Sequence, residues 1–305
     1  MSSYYQRDIV IKSIFEKAKI NKDIFFISAD FGAPALDQFR DELPSQFIHS
    51  GISEQNTVDL AAGLALEGRT VFVYAMAPFV SLRCLEQHKC ATGIMNLNVC
   101  TLVAGIGLGY ADAGPTHYAT EDLSCLHALI GSEVNTISDP SIAKLITDDI
   151  TQNPRYSFVR MDRHPTPILD EHFSNINFKD GYRFDDPDSS ICVISTGGIV
   201  NNVISAKKSV DKSFTICDIF RTKPLSKNLL MFLDNFDKIL CVDEQSTGGL
   251  LHSILEGFNT YKITKHVVDL KLPELYIYDN GGRDFLLDKH NLSPAKIAGT
   301  INNLL

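Results

Sequence analysis

Short apolar runs alternate with helical patterns along this chain, and that alternation most constrains its fold. An amphipathic pattern over Arg7–Ala18 precedes the apolar run Asp23–Ala29. Further along, the helical pattern Glu54–Glu67 precedes the run Thr70–Ala75. Apolar runs of this length, bounded by turn residues, indicate buried strands, and strands that alternate with helices indicate a parallel sheet covered on both faces. We therefore predict an α/β fold of mostly parallel sheets flanked by helices.

The alternation pauses once, which predicts two consecutive domains. Few apolar residues keep phase in the polar stretch from Pro165 to Ser189, as expected of a linker. We place the first domain at residues 1–172, the linker at 173–189 and the second domain at 190–305. Before the pause, the other predicted strands are Phe47–Ser50, Val99–Ala104, Val134–Ile137 and Tyr156–Arg160, and the other predicted helices are Pro78–Thr92, Glu121–Leu129 and Ser141–Ile150. After it, the predicted strands are Ile191–Ser195, Thr215–Asp218, Lys238–Asp243 and Lys262–Val268, and the predicted helices are Val200–Ser209, Ser226–Asn235, Gly249–Glu256 and Ser293–Leu305.

Charge and composition argue against several classes of function. The 305 residues carry a net charge of −9, with acids and bases interspersed along the chain. This argues against nonspecific nucleic-acid binding and against attraction to an anionic membrane surface. No apolar run reaches the length of a membrane span, and the first residues lack the apolar core of a secretory signal. Seven scattered cysteines suit a reducing compartment, so we expect a soluble, cytoplasmic protein.

One acidic residue stands at the start of a predicted helix. The segment His49–Asn56 follows a predicted strand, with Ser53 at the helix N-cap position and Glu54 in the first turn. An acid in a first turn often does no more than complement the helix dipole. From this segment alone, that structural role is the favoured interpretation of Glu54.

Other blocks in the first domain change the interpretation of Glu54. They are GISEQNTVDLAAGLALEG at residues 51–68, Ser28-Ala29-Asp30, Thr70–Gln87, Gly107–Asp122 and Asp139-Pro140. In this order and spacing they resemble the pyrimidine-binding domain of the transketolase family, over most of residues 24–160. The segments Ile194–Gly198 and Cys241–Glu244 are weakly similar to the C-terminal domain of that family. The resemblance implies a transketolase-like pyrimidine-binding domain first and a transketolase C-terminal-like domain second.

The resemblance implies thiamine diphosphate as the cofactor and a proton relay at Glu54. In the family, the glutamate at this position lies beside the N1′ atom of the aminopyrimidine and shares a proton with it, which activates the cofactor. Such a carboxyl group should be desolvated, so that the proton is shared rather than lost to water. The cofactor supplies the carbanion chemistry, and the protein supplies its placement. Glu54 is therefore the predicted catalytic residue.

The aminopyrimidine also needs an apolar slot with a flat wall. By resemblance Phe79 is that wall, although Phe79 and Leu82 taken alone are more typical of ordinary core on a helix face. The cofactor-binding residues that the resemblance implies are Glu54, Ile52, Met76, Phe79, Leu82 and Asp30.

The segment Gly114–His117 matches the family segment whose histidine approaches the donor sugar. His117 is therefore the predicted substrate-facing and second catalytic residue. The family usually carries an aspartate directly before this glycine, where the present chain has Ala113. Asp112 precedes Ala113 and is the substitute we consider for a contact with a donor hydroxyl.

Phosphate recognition also departs from the family. The loop in which the family places a histidine has Gly105 here, and Pro34 stands at the position of an expected serine. An arginine expected near Asp139 is absent from the sequence. Because a phosphate oxyanion normally requires Arg, Lys, His or helix-terminal amides, we expect either a non-standard sugar or a phosphate held by a partner.

The family's Gly-Asp-Gly motif, which with a downstream Asn holds the divalent metal and the diphosphate, does not occur in this sequence. We therefore expect no metal ligands in this chain. The predicted partner is an N-terminal transketolase subunit that holds the diphosphate and Mg²⁺ (or Ca²⁺). A two-plus-two heterotetramer is the expected assembly, with no nucleic-acid or membrane partner.

Three functions are compatible with this sequence. The first is ketol transfer from a ketose donor to an aldose acceptor by a split transketolase. The second is the beta subunit of a thiamine-diphosphate-dependent 2-oxoacid decarboxylase or dehydrogenase, which uses the same glutamate. The third is a regulatory subunit without turnover. The spacing of Gly114–His117 and Thr120-Glu121-Asp122 favours the first. Retention of Glu54, Phe79 and His117 argues against the third, whereas Ala113, in place of the family's aspartate, leaves the third open.

Overall fold

The computed structural model describes residues 3–210 and 213–304. The strands are β1 (Ser3–Tyr4), β2 (Ile24–Ala29), β3 (Phe47–Gly51), β4 (Thr70–Met76), β5 (Val99–Ala104), β6 (Glu133–Thr136), β7 (Ser157–Met161), β8 (Thr166–Pro167), β9 (Asn175–Asn177), β10 (Tyr182–Phe184), β11 (Ile191–Ser195), β12 (Thr215–Ile219), β13 (Arg221–Lys223), β14 (Lys238–Asp243) and β15 (Val267–Lys271). The helices are α1 (Gln6–Ile20), α2 (Asp37–Glu42), α3 (Glu54–Leu66), α4 (Ala77–Val80), α5 (Leu85–Gln87), α6 (Asp122–His127), α7 (Pro140–Gln152), α8 (Val200–Lys207), α9 (Lys227–Leu233), α10 (Gly249–Thr260), α11 (Arg283–Lys289) and α12 (Pro294–Leu304). Leu305, the last residue of the predicted C-terminal helix, lies outside the described residues.

The first sheet has seven strands in the order β13-β6-β7-β5-β4-β2-β3. Its strands are parallel except β13, which pairs antiparallel with β6. Side chains alternate between the two faces of a strand. Phe72 and Tyr74 of β4 therefore pack in one buried cluster with residues of α1 and α7, while Val71 and Val73 pack in another with the alanines of α3. This two-sided burial confirms the predicted α/β class.

The second sheet has six strands in the order β15-β14-β11-β12-β10-β9. Strands β15, β14, β11 and β12 are parallel, whereas β10 is antiparallel to both β12 and β9. Residues 173–189, the expected linker, contain β9 and β10. Tyr182 of β10 is buried and its ring lies 5.4 Å from that of Phe232. The second sheet thus draws edge strands from residues before position 190.

Buried polar contacts join the two sheet units. Arg160 of β7 donates from Nε and Nη2 to the two carboxylate oxygens of Asp122, each at 2.8 Å. Gln245, which follows β14, donates from Nε2 to Asp122 Oδ1 at 3.0 Å and to the Ala119 carbonyl at 3.1 Å. Asp122 and Arg160 are both buried. Together with the pairing of β13 and β6, this network fixes one unit against the other.

The prediction of one continuous helix over Pro78–Thr92 is wrong. The chain forms α4, a turn, α5 and then a π-helical segment over His88–Gly93. Side chains take carbonyl groups that a continuous α-helix uses for its own backbone. The Cys84 thiol donates to the Phe79 carbonyl at 3.2 Å, and His88 Nε2 donates to the Val80 carbonyl at 2.8 Å. These bonds stabilise the turn that carries Leu82 and Arg83.

Across the described parts of the chain, no helix combines the length and the apolar character that crossing a membrane requires.

Candidate active site

Glu54 is the first residue of α3, as predicted, and only 7% of it is exposed. Gly51 ends β3 in a left-handed conformation with φ of 71°, which turns the chain toward the helix. Ser53 occupies the N-cap position, but its hydroxyl donates back to the Ser50 carbonyl at 2.7 Å instead of capping the helix. The turn therefore places a carboxylate at a buried helix N-terminus, where the helix dipole favours negative charge.

Arg83 connects Glu54 to Phe79. Its Nη1 donates to Glu54 Oε2 at 2.7 Å, and the centre of its guanidinium lies 4.3 Å from the centroid of the Phe79 ring. A planar cation at this distance from an aromatic ring makes a favourable cation–π contact. The Arg83 side chain is 43% exposed, whereas the carboxylate that it contacts is buried. One side of this contact therefore faces solvent.

His117 also contacts Phe79. The two rings are 5.3 Å apart between centroids and inclined at 67°, an edge-to-face arrangement. His117 Nδ1 is 2.8 Å from the hydroxyl of Thr116, and its backbone N–H donates to the Gly114 carbonyl at 2.9 Å. The structure thus brings together three predicted site residues, Glu54, Phe79 and His117. They come from separate segments: the start of α3, helix α4 and the loop after β5.

The other predicted cofactor-binding residues border this cluster in the chain. Ile52 is 80% exposed, although it stands two positions before the buried Glu54. Met76 ends β4 and Leu82 lies in the turn after α4, and both are half-buried. Asp30 is exposed, with its Oδ1 at 3.9 Å from His49 Nε2. The cofactor roles of these four residues stay predictions.

Asp112, the predicted substitute acceptor, is engaged by Arg163. The guanidinium of Arg163 forms an ion pair with Asp112 and lies 4.4 Å from the ring centroid of Tyr110. The hydrogen bond from Arg163 holds the pKa of Asp112 below its usual value. The Asp112 carboxylate also lines a cavity of about 330 Å³ together with Arg283. Its role as a substrate contact stays a prediction.

The ring of Tyr110 packs against Gly105, in the loop where the family has a histidine. Gly105 has a φ of +85°, and a Cβ at this position would lie 2.0 Å from Cε2 of Tyr110. A side chain at position 105 is therefore excluded unless the Tyr110 ring moves. Pro34 opens a 3₁₀ turn over Pro34–Leu36. Across the described ranges, no group of three His, Cys, Asp or Glu side chains is placed to hold a metal ion.

Sequence reasoning missed Arg83. A lone arginine in a predicted amphipathic helix is ordinary, and no motif marked it. The available signal was proximity in the chain, because Arg83 stands four positions after Phe79, although α4 ends at Val80 and a turn rather than a continuous helix joins the two.

Comparison with known proteins assigns the chain to a family. The family model described as "Transketolase, pyrimidine binding domain" matches residues 7–167, more than half of the chain. The chain belongs to the transketolase family. Family membership implies use of thiamine diphosphate through the pyrimidine-binding domain, which includes Glu54, Phe79, Arg83 and His117.

Relatives of this transketolase-family chain include both split and full-length proteins. It is 28% identical over 268 residues to a subunit of the apulose-4-phosphate transketolase of Phocaeicola vulgatus, covering 85% of each chain. It is 30% identical to the "1-deoxy-D-xylulose-5-phosphate synthase" of Vibrio vulnificus, where the match covers 88% of this chain but 43% of the relative. The solved structure "Split gene transketolase, inactive beta4 tetramer" shares its fold, with a TM-score of 0.83 and 22% identity over 99% of this chain and 98% of the other. These matches are of two kinds: proteins of similar length to this chain, and a longer relative of which it spans less than half.

Proposed function

We propose that this chain is the C-terminal, beta-type subunit of a split thiamine-diphosphate-dependent transketolase. It transfers a two-carbon ketol unit from a ketose donor to an aldose acceptor. The observation that carries the proposal is the contiguous cluster of Glu54, Phe79 and His117, in which a buried carboxylate stands beside a flat aromatic wall. The planar guanidinium of Arg83 already makes the two contacts that an aminopyrimidine needs, one to the carboxylate and one to the ring. The residues present therefore fit the aminopyrimidine.

Glu54 would hold the N1′ atom of the aminopyrimidine by a hydrogen bond from its carboxyl group. Its burial keeps water away from the shared proton, so the proton stays on the line between carboxyl oxygen and ring nitrogen. Phe79 would support the ring from one face, with Met76, Leu82 and Ile52 completing an apolar slot and Asp30 at its edge. Thiamine diphosphate, when bound, supplies the carbanion chemistry of ketol transfer.

His117 would face the substrate. Its imidazole is half-buried and contacts the Phe79 ring, and Thr116 can fix its orientation through Nδ1. That leaves Nε2 to donate to, or accept from, a hydroxyl group of the sugar. Asp112 would be a second substrate contact only if it exchanges Arg163 for a donor hydroxyl.

The proposed partner is an N-terminal transketolase subunit that holds the diphosphate and Mg²⁺ (or Ca²⁺), in a cytoplasmic two-plus-two heterotetramer. Two observations support it. The relative from Phocaeicola vulgatus is described as one subunit of its transketolase, and the split-gene neighbour, a tetramer of beta chains, is described as inactive.

We further propose that the substrate is a non-standard sugar, or that the partner holds its phosphate. The ring of Tyr110 supports this view, because it fills the space beside Gly105, in the loop where the family places a histidine. Efficient use of xylulose 5-phosphate and ribose 5-phosphate, with a low Michaelis constant, by the reconstituted pair would refute the non-standard sugar and would require the partner to hold the phosphate.

The experiment that tests the function combines the chain with its N-terminal partner, thiamine diphosphate and magnesium. We expect Glu54→Gln and Glu54→Ala to lower ketol transfer by about 10²–10⁴-fold, the usual contribution of a positioned acid–base group, and His117→Ala to lower it through kcat/KM for the donor. Unchanged activity of both Glu54 variants would remove this residue from the mechanism. Release of carbon dioxide from a 2-oxoacid would instead identify the beta chain of a decarboxylase or dehydrogenase.

Titration of the chain alone tests the need for a partner. Because the charged end of the cofactor has no proposed ligands here, we expect tight binding of thiamine diphosphate and magnesium only in the mixture of both subunits. Tight binding by the chain alone would contradict the proposed split.

A further inference from the structure

We propose that Arg83 competes with the aminopyrimidine ring for the same two contacts. Its guanidinium contacts Glu54 and the ring of Phe79, and the Arg83 side chain must change conformation before the cofactor ring can bind. This inference rests on the proposed function, because it assigns Glu54 and Phe79 to the aminopyrimidine. It adds a residue that sets the apparent affinity for the cofactor.

The two ligands of the guanidinium are the two ligands that an aminopyrimidine requires. Arg83 is flat, lies 4.3 Å from the centroid of Phe79 and reaches Glu54 Oε2 at 2.7 Å through Nη1. A neutral aminopyrimidine is also flat, stacks on an aromatic ring and hydrogen-bonds end-on to a carboxyl group. His117 contacts the same Phe79 ring edge to face, at 67°. Because the guanidinium already lies over Phe79 and contacts Glu54, an aminopyrimidine cannot make both contacts while Arg83 keeps them.

Few interactions hold the Arg83 side chain in this position. In residues 3–210 and 213–304, Glu54 is the one ion-pair or hydrogen-bond partner of the Arg83 side chain. That side chain is 43% exposed, so its guanidinium can move into water. It also lies in the turn between α4 and α5, where side-chain bonds interrupt the helix. Movement of Arg83 therefore breaks one hydrogen bond and one cation–π contact and leaves the core unchanged.

The apparent affinity for the aminopyrimidine is the intrinsic affinity multiplied by the fraction of time that Arg83 leaves the site free. A site that is competent for a tenth of the time binds about tenfold more weakly than one that is always open. Partly exposed ion pairs are weak. The cation–π contact with Phe79 and the burial of the Glu54 carboxylate strengthen this one. We therefore expect removal of Arg83 to tighten binding of the aminopyrimidine by about 3–10-fold.

The probe is the neutral aminopyrimidine alcohol half of thiamine, which carries no charge for Arg83 to repel. Its binding to the full chain is measured by chemical-shift titration in NMR, for the wild type, Arg83→Met and Arg83→Lys. Arg83→Met keeps an apolar stem without the cation, and Arg83→Lys keeps the charge without the planar fork. We expect the tightest binding in Arg83→Met, with Arg83→Lys between Arg83→Met and the wild type.

A matched control is available in Arg69. It forms an ion pair with the exposed Asp23, lies 5.8 Å from the centroid of the Phe25 ring and is 40% exposed. Arg69→Met removes the same charge from the same kind of contact and must leave probe affinity unchanged. Adding Glu54→Ala to Arg83→Met must abolish most of the gain, because the gain depends on the carboxyl group that Arg83 releases and that then donates to the ring nitrogen.

The outcomes separate the two proposals. If the wild type binds the probe and Arg83→Met binds it equally or more weakly, competition by Arg83 is refuted while the proposed function stands. If neither the wild type nor any variant binds the probe or thiamine diphosphate, with or without the partner, the thiamine function fails and the competition fails with it. A gain of equal size in Arg69→Met also refutes competition, because it would be a general effect of charge.

Discussion

Replacement of Asp122 by alanine tests how the two sheet units are held together. The carboxylate is fully buried and accepts three hydrogen bonds, two from Arg160 and one from Gln245. After the change, Arg160 keeps its bond to Thr136 Oγ1 but, as a buried cation, loses the carboxylate to which it donates two hydrogen bonds. Breaking one partner of a buried pair costs about 3–5 kcal/mol, so we expect the free energy of unfolding of Asp122→Ala to fall by about that amount.

Urea denaturation followed by circular dichroism measures this loss. With an m-value of about 3 kcal/mol per molar urea, the midpoint should fall by about 1–1.7 M. The double variant Asp122→Leu with Arg160→Met removes both charges, and Gln245 still bonds to the Ala119 carbonyl. It should therefore recover most of the loss, since an apolar replacement of a buried pair is often neutral or stabilising.

The surface pair Arg40–Asp37 provides the comparison. Both side chains are exposed, so Arg40→Met should cost less than about 1 kcal/mol. A loss below about 1 kcal/mol in Asp122→Ala as well would refute the reasoning, because it would show that Arg160 finds water or another partner at no cost. A double variant less stable than the single variant would refute it too.

Three further predictions follow from the structure. Gly105→Ala should lower the free energy of unfolding by about 2–4 kcal/mol, because of its positive φ and the Tyr110 ring; unchanged thermal stability would contradict this. Burial lowers the pKa of His127 to about 3, so unfolding takes up a proton below pH 6.5 and wild-type stability declines there with falling pH. The stability gap between the wild type and His127→Gln, measured by denaturation at several pH values, should therefore shrink by about 1.4 kcal/mol per pH unit in that range, and a constant gap would show that His127 is not held neutral. Burial raises the pKa of the Cys84 thiol to about 12, so iodoacetamide should label the exposed Cys90 far faster than Cys84 at mildly alkaline pH; mass spectrometry decides, and equal rates would contradict the burial of Cys84.

The regular elements followed from local pattern. The run Val99–Ala104 is buried throughout and forms β5 over the predicted residues, because a continuous apolar run of that length has few alternatives in an α/β fold. Strands β9, β10 and β13 carried no such signal. They have three residues each, and they become strands only because a neighbouring sheet edge is available to pair with them. The break after α4 was equally hidden, since it depends on bonds that the side chains of Cys84 and His88 make to carbonyl groups.

The site could be predicted as far as a family motif reached. Glu54 and His117 stand in recognisable blocks, and the structure brings both to Phe79. Arg83 belongs to no motif, so the sequence could not single it out as a site residue. Its contacts with Glu54 and Phe79 depend on the conformation of its side chain, which no sequence pattern shows. The pairing of Asp112 with Arg163 was hidden for the same reason: 51 residues separate the two in the chain.

Strand β13 has a consequence for how this chain can be divided. The residues Arg221–Lys223 belong by sequence to the second unit, yet they pair with β6 at the edge of the first sheet. A fragment that ends in the apparent linker would expose that edge as an open template for another strand. We therefore expect chimaeras that exchange units at residues 173–189 to aggregate, unless each also carries a matching edge strand. The unit that can be transplanted between proteins is the pair of sheets with β13 between them.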